Sequence, residues 1–233
     1  MLVNKDDYLV AGIHIGMKTC TPGMKRFVYK IREDGLAVFN LQKVDERLAV
    51  AAKFLPKFSK IVVAGRKESA SQPLQAFAKA TGSTAFAGRF SPGTLTNPSY
   101  RQFLEPDLVV VADPAVDTQA VLEAVKKRIP LVALCSTANT TRNIDLVLPV
   151  NNNGKKSLAL IFWILAREHC KAAGREFTMT LKDFGDDRPA LPKLKAKPTA
   201  LPDAKPAPAE PAEKPAEPRK PSPSDEGPAE AEE

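Results

Sequence analysis

The sequence predicts a doubly wound α/β domain with a mostly parallel sheet, and two observations carry that prediction. Ile61 to Ala64, Leu108 to Ala112, Leu131 to Cys135 and Leu146 to Val150 are short, continuously apolar runs of strand length, as strands buried on both faces require. Segments with apolar residues at intervals of three and four lie between several of them, the mark of amphipathic helices. Parallel strands need such crossovers, and the crossover helices then cover both faces of the sheet.

Taken in order, the chain opens with Tyr8, Leu9, Ala11 and Ile15 at near-helical spacing behind Asn4, Asp6 and Asp7. Those polar residues suit the start of a short helix, by capping it and by complementing its dipole. The segment KTCTPGMKRFVYKIR follows, rich in Lys and Arg and interleaved with Phe27 and Tyr29. Two readings stay open for it: an irregular basic arm lying along a phosphate backbone, or an edge strand built from Phe27, Val28, Tyr29 and Ile31.

From Gly35 the rhythm changes. GLAVFNL reads as the first strand of the sheet, and Val44, Leu48, Ala51, Ala52 and Leu55 form one face of a helix that ends before Pro56. Ile61 to Ala64 is the next strand. After it come the polar loop RKESASQ and a helix bearing Leu74, Phe77 and Ala78, which Gly82 stops. Thr84 to Ala87 and Leu108 to Ala112 are strands. Asp117 or Thr118 caps a helix with Val121, Leu122 and Val125 inward, while Lys126, Lys127 and Arg128 suit its C-terminal end. After the strands at Leu131 and Leu146, a last helix from Ser157 to about Ala173 carries the single Trp and closes at Gly174.

Composition divides the chain into an N-terminal helix and basic arm over 1–34, an α/β domain over 35–187 and a tail over 188–233. The tail is dominated by Pro, Ala, Lys and Glu, a composition that buries too little to fold and predicts disorder. The whole chain has a formal charge of +7; residues 1–187 hold 26 Lys+Arg against 18 Asp+Glu, and the tail holds 8 against 9. The basic excess therefore belongs to the folded part and points to a polyanionic partner. No membrane is expected as a partner, because the longest apolar run, Leu158 to Ala166, is far short of the roughly 20 residues that cross a bilayer. MLVNKDDYLV places acidic residues where a secretory signal is cationic, so the expected location is cytoplasmic. Cys20, Cys135 and Cys170 are odd in number and without a CxxC, which suggests neither a disulfide framework nor a zinc cluster.

Ligands of a doubly wound sheet sit beyond the carboxyl ends of its strands, so the turns there matter most. AGRFSPGTLTNPSYR follows one strand and holds Arg89, Thr94, Thr96, Asn97 and Arg101 with no carboxylate among them, a set that can donate to phosphate and ribose. NNNGKKS places Asn151, Asn152, Lys155 and Lys156 before a helix N-terminus, which itself attracts anions. Arg142 lies in TTRN, and Lys18, Lys25, Arg26 and Arg32 in the N-terminal segment.

An enzyme acting on sugar phosphates or nucleotides is the rival reading, since GRKESAS and CSTANTTRN have the hydroxyls and amides of phosphate-gripping loops. A proton shuttle is missing: His14 and His169 both lie away from strand ends. There is no GxGxxG or GxxxxGK[ST] fingerprint, so no cofactor and no small-molecule substrate are expected. Asp113, before Pro114, reads as a turn former rather than a base, and Cys135 as a small core residue.

AGRFSPGTLTN, LVVVADPAVD and PLVALCSTANTTRNIDLVLPVNNNGKKSLALIFWILAREH, in that order, resemble the archaeal and eukaryotic branch of small ribosomal subunit protein two, the family that includes the laminin-receptor-related ribosomal protein. AGIHIG and GLAVFNL match its N-terminal part, and the resemblance covers roughly residues 5 to 175. It implies a flavodoxin-like domain without catalytic activity, a structural constituent of the small ribosomal subunit that contacts ribosomal RNA and other small-subunit proteins. On those motifs it also implies contact roles for His14, Arg89, Thr94, Thr96, Asn97, Asn151, Asn152 and Lys155. The tail lies outside the resemblance.

Overall fold

The computed structural model describes residues 1–186 of the 233; the tail over 188–233, read above as disordered, lies outside them. Among the described residues seven strands are formed: β1 (Val28–Ile31), β2 (Ala37–Phe39), β3 (Ile61–Gly65), β4 (Thr84–Ala87), β5 (Leu108–Val111), β6 (Leu131–Cys135) and β7 (Leu146–Pro149). The last five make one sheet in the order β4-β3-β5-β6-β7, every neighbouring pair parallel. Renumbered from its own first strand this is the order 2-1-3-4-5, that of flavodoxin-like folds. β3, β5, β6 and β7 are buried at every position, which explains why their sequences show no alternation.

Six α-helices accompany them among the described residues: α1 (Lys5–Ala11), α2 (Pro22–Lys25), α3 (Leu41–Phe54), α4 (Glu68–Thr81), α5 (Thr118–Lys127) and α6 (Lys155–Ala172). α6 packs against both α3 and α4. Phe77 of α4 meets Phe162 of α6 edge to face at 5.7 Å between ring centres. From β3 the chain steps outward to β4 through α4, and from β5 it steps the opposite way to β6 through α5. Right-handed crossovers in opposite directions put α4 and α5 on opposite faces of the sheet. The strand order reverses between β3 and β5, and a crevice opens there beyond their carboxyl ends.

The structure departs from the sequence reading in three places. GLAVFNL is not the first strand of the parallel sheet: its β2 pairs antiparallel with β1, Val28 opposite Phe39 and Ile31 opposite Ala37. Only three residues of it are extended, because Asn40 already caps α3, its side chain accepting the Gln42 N–H at 3.0 Å. The stretch after Phe27 is thus an edge strand, and Phe27 and Met24 are buried in the core. The polar run RKESASQ is mostly helix, since α4 begins at Glu68 and holds Pro73 in its second turn. In α5 the inward face is Ala120, Val121, Glu123 and Ala124, whereas Leu122 and Val125 are exposed.

Candidate functional site

The strand-end turns are tied together by one buried polar chain. Lys67, just after β3, pairs with Asp113 after β5 at 2.5 Å and also donates to Asn153. Asp113 Oδ1 accepts the Asn139 side-chain N–H at 2.8 Å and the Ala115 N–H at 3.0 Å. Asn139 Oδ1 in turn accepts from the Ser136 N–H at 2.7 Å and from Asn152 Nδ2 at 3.1 Å. Asn152 also donates to the Leu134 carbonyl. Buried polar groups that satisfy one another in this way rigidify the loops that hold them.

A second set of contacts folds the N-terminal segment across the ends of β6 and β7. Thr137 Oγ1 accepts the Met17 N–H at 2.7 Å, and the Thr21 N–H and hydroxyl reach the carbonyls of Thr137 and Asn139. Asn151 donates its side-chain N–H to the Gly12 carbonyl at 3.0 Å, and its N–H bonds the Ile13 carbonyl. Gly16 is obligatory in this approach: a Cβ there would lie 2.5 Å from Thr137 and 2.7 Å from the Ala37 carbonyl.

The long turn after β4 is organised by a carboxylate that lies outside it. Glu123 of α5 is 2% exposed and accepts the N–H groups of Gly93 and Leu95 at 2.7 and 2.9 Å, with Gln119 at 2.7 Å and the Thr96 hydroxyl at 3.4 Å. Burial pushes its carboxyl up, but these donors outweigh burial and hold it below the ordinary range.

These three arrangements sort the expected contact residues. Thr94 is fully buried and its hydroxyl donates to the Ser91 carbonyl, so it shapes the turn from inside. Asn152 is buried in the polar chain, and Asn151 fastens the N-terminal segment while its Oδ1 accepts the Asn153 and Gly154 N–H groups. Asn97 likewise closes its own turn through the Ser99 N–H. Thr96 is directed at Glu123. Thr94, Thr96, Asn151 and Asn152 thus spend side-chain hydrogen bonds inside the fold, whereas Asn97 is exposed and commits only its side-chain oxygen. His14 is half-buried, with Nδ1 lacking a partner, and burial lowers its pKa.

What faces outward is cationic. Lys18, Lys25, Arg26, Arg32, Arg89, Arg101, Arg142, Lys155 and Lys156 are exposed. Arg32 is paired with Asp34 at 3.2 Å, and Arg26 stacks on Phe27 at 4.7 Å. Lys155 and Lys156 open α6, where the helix dipole adds to their charge.

Sequence reasoning passed over two residues at the switch point. Arg66, exposed, follows β3 directly; Asp117, expected only as a helix cap, is 3% exposed and accepts the Arg66 N–H on Oδ1 at 2.9 Å. Together with Arg89, Phe90, Pro92, Val116, Thr118 and Gln119 they line a cavity of about 190 Å³. Asp117 Oδ2 is buried with no hydrogen-bond partner. Burial pushes this carboxyl up to about 6; the Arg66 N–H opposes it, the Asp113 charge helps it, and the Asp113 backbone N–H and Lys67 oppose it.

Among the described residues no group of three His, Cys, Asp or Glu could hold a metal ion, and no helix is long and apolar enough to cross a membrane. Burial raises the Cys135 thiol to about 12, so it is not a nucleophile at neutral pH. Compared with known families, the chain matches the family model described as Ribosomal protein S2 over residues 8–102 and 100–172.

Proposed function

Because the chain belongs to the ribosomal protein S2 family, whose members have a structural role in the small ribosomal subunit, we propose that it binds ribosomal RNA and neighbouring ribosomal proteins in the cytoplasm. It does so by charge and shape, with no chemical step.

One observation carries this reading: Arg89, Arg101, Arg142, Lys155 and Lys156 face outward at the strand ends, while Thr94, Asn151 and Asn152 beside them bond inside the fold. Arg89, Arg101, Arg142, Lys155 and Lys156 have no carboxylate partner among the described residues, so their charge is available to phosphates. Cationic contacts of this type give affinity and register without reading sequence. The internal bonds hold the turns in place, so little entropy remains to be lost when RNA arrives. Asp113, the clearest strand-end carboxylate in the sequence, is committed to Lys67 and Asn139, which removes one candidate base from the sugar-phosphate reading.

The test is Arg89→Glu combined with Lys155→Glu. Both residues are exposed, so the variant should keep the wild-type circular dichroism spectrum and melting temperature while losing co-sedimentation with small subunits. Unchanged co-sedimentation would overturn the assignment.

A further inference from the structure

The cavity at the strand-order reversal has an unusual donor and acceptor balance. Its walls include two exposed guanidiniums, Arg66 and Arg89, and one buried carboxylate, Asp117. One lone pair of Asp117 Oδ1 is occupied by the Arg66 N–H; Oδ2 is buried with no hydrogen-bond partner, although the Asp113 backbone N–H lies near the carboxyl. A carboxylate has about four acceptor positions, so several remain for a ligand that offers donors. At about 190 Å³ the cavity is smaller than the roughly 300–1,000 Å³ of pockets that enclose drug-sized ligands, and so admits one planar ring rather than a whole cofactor.

We propose that this cavity receives a single extrahelical guanine of the RNA, its Watson–Crick edge donating to Asp117 and its phosphate held by Arg66 and Arg89. The proposal rests on the RNA-binding reading above and names the base that one site would take. Guanine is the base whose N1–H and N2 amino group form two adjacent donors. Adenine and cytosine set one amino group beside a ring nitrogen acceptor, which a carboxylate repels, and uracil has a single N–H between two carbonyls. A cationic side chain of a protein neighbour would also satisfy Asp117, but it would have to enter between two arginines with Lys67 nearby. A neutral donor edge attached to an anionic phosphate suits both signs of charge at once. Unstacked bases read on this edge are the usual route by which proteins recognise RNA sequence, and the cavity lies where doubly wound sheets bind their ligands.

The experiment titrates the ¹⁵N-labelled full-length protein with GMP, IMP, AMP and N-acetylargininamide, following the amide signals of Arg66, Asp117, Thr118 and Gln119, with subunit co-sedimentation measured on the same preparation. GMP is expected to shift these signals, IMP, which lacks the N2 amino group, to bind at least threefold more weakly, and AMP to leave them in place. Asp117→Asn, which keeps an acceptor for the Arg66 N–H, should weaken GMP at least tenfold. Equal responses to GMP and AMP, no response to GMP, or GMP binding that survives Asp117→Asn would each overturn the proposal. A response to N-acetylargininamide in place of GMP would overturn it in favour of a protein neighbour. Wild-type protein that enters subunits but ignores GMP sinks the guanine site alone, whereas protein that binds GMP but never enters subunits sinks the reading on which it rests.

Discussion

The Leu95 N–H donates to Glu123 Oε2 at 2.9 Å across 28 residues of sequence, and that bond places an otherwise irregular turn. Because Gly93 shares the same carboxylate, removing it leaves two backbone donors with no acceptor. Glu123→Ala is expected to cost about 3 kcal/mol, from the roughly 1–3 kcal/mol typical of each buried unsatisfied group. Chemical denaturation of the two proteins checks this.

Glu123 also fixes a pH dependence. Its folded carboxyl lies below its ordinary value, so the unfolded chain takes up the proton first as pH falls. The stability it contributes is complete above about pH 4.5, near the unfolded value, and is lost as pH falls through the depressed folded one. Melting curves of wild type should therefore converge on those of Glu123→Gln below that range and separate above it. Parallel curves would show that the carboxylate is not charged in the fold.

Glu123 illustrates where sequence reading stops. The buried strands, the helices between them and the parallel sheet were legible because periodicity is local to each segment. A Glu in the middle of a helix reads as solvated, and only the tertiary structure brings Gly93 and Leu95 to it. Leu122 and Val125 looked inward because they are larger than Ala120 and Ala124, yet the small residues flank the carboxylate on the buried face. Arg89, Lys155 and the other outward cations were legible since charge stays at the surface. The internal bonds of Thr94, Asn151 and Asn152 were not legible, because composition does not reveal which polar side chain finds a partner within its own chain. GLAVFNL misled for a related reason: strand length was plain, but its partner β1 was not.

Asp117 shows the opposite sign. Its folded carboxyl is raised to about 6, so between the unfolded value near 3.9 and 6 the folded protein holds a proton that the unfolded chain has lost. Stability therefore falls across that window as pH rises, and the cost is complete above it. Asp117→Asn escapes this cost and is expected to be more stable than wild type at pH 7.5 by roughly 2–3 kcal/mol, at about 1.4 kcal/mol for each pKa unit. The difference should vanish near pH 3.5. Thermal melts at the two pH values test it, and an equal gap at both would mean that the carboxylate is not strained by burial.

The Lys67–Asp113 pair joins the loops after β3 and β5 with Asp113 only 4% exposed. Asp113→Ala removes the acceptor for Lys67, Asn139 and the Ala115 N–H together. Breaking a buried pair from one side costs about 3–5 kcal/mol, and the partial exposure of Lys67 places this one at the lower end, near 3 kcal/mol. Lys67→Met with Asp113→Leu should recover part of the loss in the double-mutant comparison, because neither charge is then stranded. Failure of the pair to couple in that cycle would show that Asp113 acts through Asn139 alone.

Salt dependence separates the outward cations from the inward amides. Each phosphate neutralised contributes about −0.7 to −0.9 to the slope of log Kobs against log salt, the lower figure applying to single strands. Lys155→Ala with Lys156→Ala removes two exposed charges at the start of α6, so the slope for small-subunit RNA should flatten by roughly 1.5, within twice that range of contributions. Asn152→Ala breaks bonds to Leu134 and Asn139 and should instead lower stability by about 1–3 kcal/mol, with the slope unchanged. If Asn152→Ala flattened the slope as much as the lysine pair, the division between a charged exterior and an amide-held interior would be wrong.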